Sequence, residues 1–250
     1  MSAPLLAGLF ATVAFLYSMV GFGGGSSYLA LLALSDLPQG KWRAIALLCN
    51  VVVVSGGTWL FVRRGHFSWR LFAPFVVTSV PAAYLCGTVE LEPRPFLILL
   101  SICLLLAGLR MVFDRRLTGR AAASVAPRAA WGLGLPLGIL FGGVSGLIGI
   151  GGGIFLAPIL YMIGWGRPKE IAATASAFIL VNSLAGLAGL AVENGGLGLD
   201  ASLIYLPVAV AIAGQLGSRL GSGSAPTGLA RGLTAVLVLF VGTKLLWGAL

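Results

Sequence analysis

Charged side chains are scarce in this sequence of 250 residues. Only 9% of the residues are charged and 58% are hydrophobic, whereas soluble domains carry roughly 25% charged residues. A soluble globular fold is therefore excluded. The seven acidic residues all fall in loops or at the ends of apolar runs, so the sequence gives no support to a buried carboxylate relay of the kind that proton pumps use.

Histidine and cysteine are scarce as well. The single histidine and the three cysteines include no CxxC spacing and no cluster of ligand-like neighbours, so we expect no metal site, no cofactor and no catalytic centre. The cysteines lie in apolar runs and should pack as small apolar side chains. The net charge of +9 comes from basic residues scattered in short loops, which favours the lipid bilayer as partner and predicts no nucleic acid.

What the sequence does contain is an internal duplication. The segment Gly21-Phe-Gly-Gly-Gly25 recurs 128 positions later as Gly149-Ile-Gly-Gly-Gly153, and the same offset aligns Lys41 with Lys169, Ala44 with Ala172 and Ser55 with Ser183. We predict a first repeat over residues 1–113, a basic cytoplasmic linker over 114–129 and a second repeat over 130–250, all within one integral membrane domain. Duplicated halves with interrupted helices are typical of transporters.

Six apolar runs have the roughly twenty residues needed to cross a bilayer. They are Lys41 to Val62, Trp69 to Thr88, Arg94 to Phe113, Glu170 to Val192, Ala201 to Leu220 and Pro226 to Trp247. Two longer tracts, Pro4 to Ser35 and Ala130 to Ile163, contain the glycine clusters. The first tract lacks a basic n-region and a cleavage site, so we interpret it as retained and not as a signal peptide.

The distribution of Lys and Arg distinguishes two topologies for the glycine tracts. If each tract crosses fully, the sixteen basic residues divide almost evenly between the two sides. If each tract enters and returns, twelve lie in the cytoplasm and four outside, which obeys the positive-inside rule. We therefore predict an all-α polytopic membrane protein of two inverted repeats, each a glycine-broken re-entrant helical hairpin plus three transmembrane helices, with both termini outside.

The glycine clusters are candidates for a substrate site. A break in a helix strands backbone N–H and C=O groups, which the bilayer interior tolerates only where they are buried in protein or line a cavity. Helices that begin at Ser26 and Ile154 would direct their positive ends at that cavity, which suits an anion. The alternative is that the glycines only permit close helix packing, as Gly138, Gly142 and Gly146 at four-residue spacing also could.

Polar side chains inside the spans extend this site. Small hydroxyl and amide groups can bind the oxygens of an oxyanion, although bonding within or between helices is the competing role. Arg43 and Lys169 lie at span entrances, where they could attract anions or anchor the spans by snorkelling. The residues predicted to bind substrate are Gly23, Gly24, Gly25, Ser26, Ser27, Asn50, Gly151, Gly152, Gly153, Thr174, Ser176, Asn182 and Gln215.

The second repeat resembles the TauE/SafE family of anion exporters. The similar residues are Gly149-Ile-Gly-Gly-Gly-Ile-Phe-Leu-Ala-Pro158, Arg167-Pro168 and Ala172-Ala-Thr174-Ala-Ser176, whereas the first repeat has Ser26-Ser-Tyr in place of the proline motif. The resemblance implies export of sulfite, sulfoacetate or a related sulfonate across the bacterial cytoplasmic membrane. It selects no particular anion, and it leaves open a proton or sodium ion as coupling ion and a homodimer as the assembly.

Two alternatives to a transporter are an intramembrane serine protease and a membrane scaffold. Gly143-Val-Ser145-Gly146 matches the GxSG of rhomboid proteases, but such a nucleophile needs a base within hydrogen-bond reach. The single histidine, His66, falls in an Arg-rich loop, and we expect it to lie too far from Ser145. A scaffold would tolerate alanine at Gly151 and Gly152, whereas a substrate site would not.

Overall fold

The computed structural model describes residues 2–19, 21–90, 92–113 and 127–221, together with residues 236, 239–240, 242–244 and 246–248. Nine α-helices lie in residues 2–221 of this described part: α1 (Ala3–Ser18), α2 (Gly25–Ala33), α3 (Trp42–Arg63), α4 (Trp69–Gly87), α5 (Pro93–Phe113), α6 (Pro127–Ile148), α7 (Gly153–Ile163), α8 (Pro168–Glu193) and α9 (Tyr205–Gly221). The predicted all-helical fold is confirmed for this part. Most of the predicted linker and of the last predicted span lie outside it.

Both glycine clusters interrupt helices, as predicted. The first break separates α1 from α2 and the second break separates α6 from α7. Gly24, Gly151 and Gly152 have φ angles of +96°, +86° and +73°, a left-handed conformation that glycine adopts without a steric penalty. The helices after the breaks begin at Gly25 and Gly153, one residue earlier than expected, so these two glycines belong to the first helical turns.

Five helical stretches are long and apolar enough to cross a membrane: Gln39–Arg63, Trp69–Gly87, Arg128–Ile148, Pro168–Glu193 and Ala201–Gly221. Four of them coincide with predicted spans. The fifth stretch, Arg128–Ile148, lies in a tract expected to form a hairpin. This helix is by itself long enough to cross the membrane. The helices that follow the two breaks, α2 and α7, have 9 and 11 residues, or about 14 and 17 Å at 1.5 Å per residue.

Helices of one half pack on helices of the other in matched pairs. α4 contacts α6, and their repeat counterparts α9 and α1 contact each other. In the first pair Gly134 lies against Pro74 and Gly146 against Ala83, whereas in the second Gly217 lies against Phe15. Gly221 continues that second seam against Met19. Residue numbers rise together along both contacts, so each pair runs parallel.

The pair α3 and α8 forms the centre of the fold and runs antiparallel. Thr58 of α3 bonds to Ser176 of α8 through their hydroxyl oxygens, 3.0 Å apart. Eleven residues earlier on α3, Leu47 lies against Gly186, ten residues later on α8. The numbers therefore run in opposite directions along this contact. Under the 128-residue repeat offset each of these contacts falls on the other to within one residue.

Free cysteines pack in the helices as expected. Cys49 and Cys103 are buried and Cys86 is half-buried, and all three are free. Both buried thiols belong to the apolar core that α1, α2 and α3 share with α5, where a cysteine behaves as a small apolar side chain.

Glycines at four-residue spacing permit the α4–α6 contact, which is the packing role that the sequence left open. Gly138 lies against Phe75 and Gly142 against the backbone of Ser79, whereas a Cβ at Gly132 on the same helix would meet nothing within 4 Å. We expect Gly142→Ala to lower stability by about 1–3 kcal/mol through overpacking. Thermal unfolding in detergent checks this.

The matched control for that experiment is Gly132→Ala, which makes the same substitution on α6 in open space. It should leave the unfolding temperature unchanged or raise it slightly, because alanine has the higher helix propensity. Equal effects of the two substitutions would show that Gly142 is not needed for the α4–α6 contact.

Candidate functional site

The two glycine breaks meet in the interior, although they are 128 positions apart in sequence. A Cβ at Gly25, beside the first break, would lie 2.8 Å from the carbonyl oxygen of Ile150 in the second break. The same Cβ would lie 2.5 Å from Nδ2 of Asn50 on α3. This meeting point of the two breaks with α3 and α8 is called the junction below.

Asn50 connects the two breaks. Its side chain is fully buried and its Nδ2 donates a hydrogen bond to the Ile150 carbonyl oxygen at 3.1 Å. A Cβ at Gly23 would lie 2.5 Å from its Oδ1, and one at Gly151 would lie 2.9 Å from its Nδ2. Oδ1 itself has no hydrogen-bond partner. The predicted residues Gly23, Gly25, Gly151 and Asn50 are therefore brought together.

Two serines complete the junction, and neither was among the predicted binding residues. Ser183 of α8 has its Oγ 3.1 Å from the position of a Cβ on Gly151, and Ser145 of α6 lies next to Gly152. Both side chains are fully buried, and neither hydroxyl has a hydrogen-bond partner. Ser183 could have been found from its alignment with Ser55, but Ser55 is exposed and bonds back to Val51 of its own helix.

Unpartnered polar atoms are costly in an apolar interior, at roughly 1–3 kcal/mol each. The junction concentrates three such atoms, on Asn50, Ser145 and Ser183. Each such atom in a folded protein needs an explanation, and a water molecule, an ion or a ligand that supplies the missing partner is one. The arrangement therefore suits a small molecule with several hydrogen-bonding oxygens.

Ser26 and Ser27 of α2 are buried but already partnered. The hydroxyl of Tyr17 on α1 lies 2.8 Å from Ser27 Oγ and 3.3 Å from Ser26 Oγ. These bonds link α1 to α2 across the first break. Both predicted binding serines therefore have a hydrogen-bond partner in this structure, and Ser26 also lines the small cavity between the breaks.

A second polar group lies further along α3, away from the junction. Ser176 Oγ bonds to Thr58 and also donates to the Val54 carbonyl oxygen at 3.4 Å. The Gln215 side chain of α9 lies directly on Gly56. Ser176 and Gln215 are therefore placed together at the α3–α8–α9 contact. Their neighbours on α3, Thr58 and Gly56, lie eight and six residues beyond Asn50, or about 12 and 9 Å along the helix at 1.5 Å of rise per residue.

Thr174 and Asn182 of α8 are both fully buried. Neither is among the nearest neighbours of the glycines in the two breaks. Thr174 Oγ1 has no partner. Asn182 Nδ2 donates to the Phe178 carbonyl oxygen of its own helix at 2.8 Å, which is the local bonding that competes with ligand binding. Gly24 and Gly153 lie beside the junction, against Tyr28 and Ile179 respectively.

Arg43 is buried and does not snorkel. It is 8% exposed, and its guanidinium donates to the carbonyl oxygens of Val89 and Gly87 at 3.0 Å and of Gly146 at 2.8 Å. Lys169, the other basic residue at a span entrance, is exposed. The structure therefore separates two cations that the sequence could not distinguish.

The junction is closed in this conformation. The cavity between the breaks, lined by Tyr17, Gly23, Gly24, Ile150 and Ile179, has a volume of about 10 Å³, which is the space of a single water molecule. The unpartnered groups of Asn50, Ser145 and Ser183 lie outside its lining. An oxyanion can enter only if the helices that carry the breaks move apart.

A hydrolytic or metal-dependent site finds no support at these residues. Ser145 Oγ has no hydrogen-bond partner, so His66 does not activate it, and His66 instead lies beside Phe61. The protease alternative is therefore not supported. Among the residues that the structure describes, no group of three or more His, Cys, Asp or Glu side chains could hold a metal ion.

Comparison with known proteins identifies relatives for nearly the whole chain. Residues 5–245 match the family described as Sulfite exporter TauE/SafE. The chain is 33% identical over 242 residues to a probable membrane transporter protein, y4hK, of Sinorhizobium fredii, covering 97% of each sequence. No solved structure matches.

The bond from Asn50 to the second break predicts a stability difference between the two buried asparagines. Asn50→Ala removes the donor from the Ile150 carbonyl, so we expect it to destabilise the protein by about 1–3 kcal/mol. Asn182→Ala deletes the same atoms but leaves a carbonyl that α8 itself can satisfy. Thermal unfolding of both variants in detergent should give the lower midpoint for Asn50→Ala, and equal midpoints would contradict a role in joining the breaks.

Proposed function

This chain belongs to the Sulfite exporter TauE/SafE family of membrane transporters, and we propose that it is a secondary transporter that exports a small organic or sulfur oxyanion by alternating access. Sulfite, sulfoacetate and related sulfonates are the proposed cargo. The proposed location is the bacterial cytoplasmic membrane, and the proposed binding site is the junction.

The observation that carries this proposal is the convergence of both glycine breaks on unpartnered buried polar groups. Hydroxyl groups of Ser145 and Ser183 can donate hydrogen bonds to an oxyanion, as can the second N–H of Asn50 Nδ2. The first N–H of this amide bonds the Ile150 carbonyl, and Asn50 Oδ1 is an acceptor that suits only a protonated oxygen of the ligand. The start of α7 at Gly153 adds the positive end of a helix dipole. These donors match the negatively charged oxygens of a sulfite or sulfonate group.

The direction of the helices supports inverted repeats with re-entrant hairpins. If each glycine tract crossed fully, the halves would be parallel and α3 and α8 would run the same way. The contacts of Thr58 with Ser176 and of Leu47 with Gly186 run in opposite directions. Because α8 runs antiparallel to α3 and α9 follows α8 in the opposite direction, α9 runs parallel to α3. α1 is parallel to α9, so α1 and α3 point the same way in this arrangement, and α2 returns toward the side on which α1 began.

Alternating access in this arrangement would separate the breaks alternately toward each side. The closed junction, with room for one water molecule, is then a state without substrate. An anion that leaves a negative interior gains about 2.3 kcal/mol per charge per 100 mV, so export can run on the membrane potential. Coupling to protons or sodium is an additional arrangement that the same site permits.

Substrate-induced charge movement in proteoliposomes tests the proposal. We expect currents for at least one anion in a panel of sulfite, sulfoacetate, other sulfonates, sulfate and small carboxylates, and loss of those currents in Gly152→Leu. A leucine there would meet the Phe141 carbonyl oxygen and the Phe178 ring, each 3.0 Å from a Cβ at this position, in a left-handed backbone conformation. Gly198→Leu, at a left-handed loop glycine in open space, is the matched control.

Two other outcomes would change the conclusion. Binding of a panel anion without current would indicate electroneutral, coupled transport. Neither binding nor current for any anion, from protein that elutes and melts as a folded species, would contradict the proposed cargo.

The proposed topology makes a separate prediction for the C-terminus. A reporter that is active only in the cytoplasm should be inactive when fused after Leu250, because the inverted arrangement places both termini outside. The same reporter inserted between residues 114 and 126 should be active, since this segment is the proposed cytoplasmic linker. Strong activity at Leu250 would reject the hairpin topology.

A further inference from the structure

Arg43 is a buried cation whose bonds hold three helices together. It lies in the first turn of α3, and its acceptors are the Gly87 and Val89 carbonyls at the end of α4 and the Gly146 carbonyl near the end of α6. Its Nε has no partner. Carbonyl groups at helix C-termini carry partial negative charge, so the guanidinium is neutralised by dipoles in place of a directly bonded carboxylate.

Arg43 shares one face of α3 with the polar groups described above. Asn50 follows seven residues later and Thr58 eight residues after that; at 3.6 residues per turn Asn50 lies within about 20° of Arg43 and Thr58 about 80° further round, with about 10–12 Å of rise at each step. On the antiparallel α8, Ser183 faces the junction and Ser176 faces Thr58. The polar groups therefore form a line along the α3–α8 contact.

A cavity of about 130 Å³ opens at the Arg43 end of this line. Its lining includes Arg43, Glu90, Glu193, Gln39 and Asn194. It is more than ten times the volume of the space between the breaks.

Arg43 touches both this cavity and the second break. A Cβ at Gly149, in the second break, would lie 3.2 Å from the Arg43 Cα, so the residue that lines the cavity also touches the break. Its bond to Gly146 fixes it to the helix that leads into that break. A route from the junction to the cavity along α3 would pass this side chain.

We propose that Arg43 is the gate of the anion's route between the junction and this cavity, and that the gate selects for negative charge. In the closed state of the gate, the guanidinium donates hydrogen bonds to its three backbone carbonyl acceptors. The open gate exchanges those carbonyls for oxygens of the anion, since charged oxygens are the stronger acceptors. Glu90 and Glu193 line the cavity beyond, and Arg43 is a cation there that can offset their repulsion of an anion.

The gate rests on the proposed anion transport, but its test does not depend on the identity of the cargo. The full-length protein carries Cys49→Ala, Cys86→Ala, Cys103→Ala and Ser183→Cys, so that the only thiol lies at the junction. Reconstituted in liposomes, it is treated with a membrane-impermeant thiol reagent added from one side at a time. The rate of labelling reports access to the junction from each side.

With Arg43 present, we expect slow labelling from the side of the cavity. Arg43→Met should raise that rate by about tenfold or more, the factor that corresponds to one lost charge-assisted hydrogen bond, and should leave access from the opposite side unchanged. Lys41→Met is the matched control, because Lys41 lies two residues earlier and pairs with Asp200 at the surface. It should label like the parent.

An unchanged rate from the cavity side in Arg43→Met overturns the gate, and so does an equal increase from both sides, which indicates general loosening. If Arg43→Met does not fold, Arg43→Lys serves, because it keeps the charge but loses the planar fork. It should label faster than the parent, and parent-like labelling would overturn the gate. Faster labelling in a protein that moves no anion would reject the proposed cargo and leave the gate in place.

Discussion

The whole arrangement depends on where the backbone groups of two broken helices can be buried. Away from water, an unpaired N–H or C=O group costs several kcal/mol, so a break survives only against protein or a wet cavity. Here each half covers the break of the other. Gly21 of the first break lies against the Ala172 carbonyl of α8, and Gly149 of the second lies against Arg43 of α3. α3 and α8 each pack against the break of the other half and therefore lie at the centre of the fold. α4 with α6 and α1 with α9 form the matched pairs around them.

The duplicated backbone carries an asymmetric set of polar groups. The repeat counterpart of Asn50 is Phe178, and that of Arg43 is Ile171. The matched scaffold therefore supplies two similar breaks, while the hydrogen-bonding groups that join them lie mainly on one helix. At the proposed anion site, Asn50 of α3 is accompanied by hydroxyls from other helices, Ser145 of α6 and Ser183 of α8. The charged side chain among the polar groups described on α3 is Arg43, and three backbone carbonyl groups stabilise its guanidinium.

Glycine serves two different purposes in this chain, and only the structure separates them. In the α4–α6 contact, Gly142 sits within a regular helix and lets a neighbouring backbone approach. In the second break, Gly151 and Gly152 adopt left-handed conformations that other residues rarely adopt. Gly142 lies close in sequence to Gly151 and Gly152, so the spacing of the glycines alone does not show which purpose each one serves. The paired recurrence of the break motif in the two halves was the signal that identified the second class.

The sequence by itself determined the helical membrane class, the duplication, the positions of the breaks and the family, because each follows from apolar run length or from a motif that is local in the chain. It also selected Asn50, since a buried amide is costly enough to require a partner. Only the tertiary structure decided which hydroxyls remain without partners. Ser26 and Ser27 are bonded to Tyr17, whereas Ser145 and Ser183 are left unpartnered at the junction. These outcomes depend on contacts between residues far apart in sequence, and a hydroxyl carries no local mark of which neighbour the fold will bring to it.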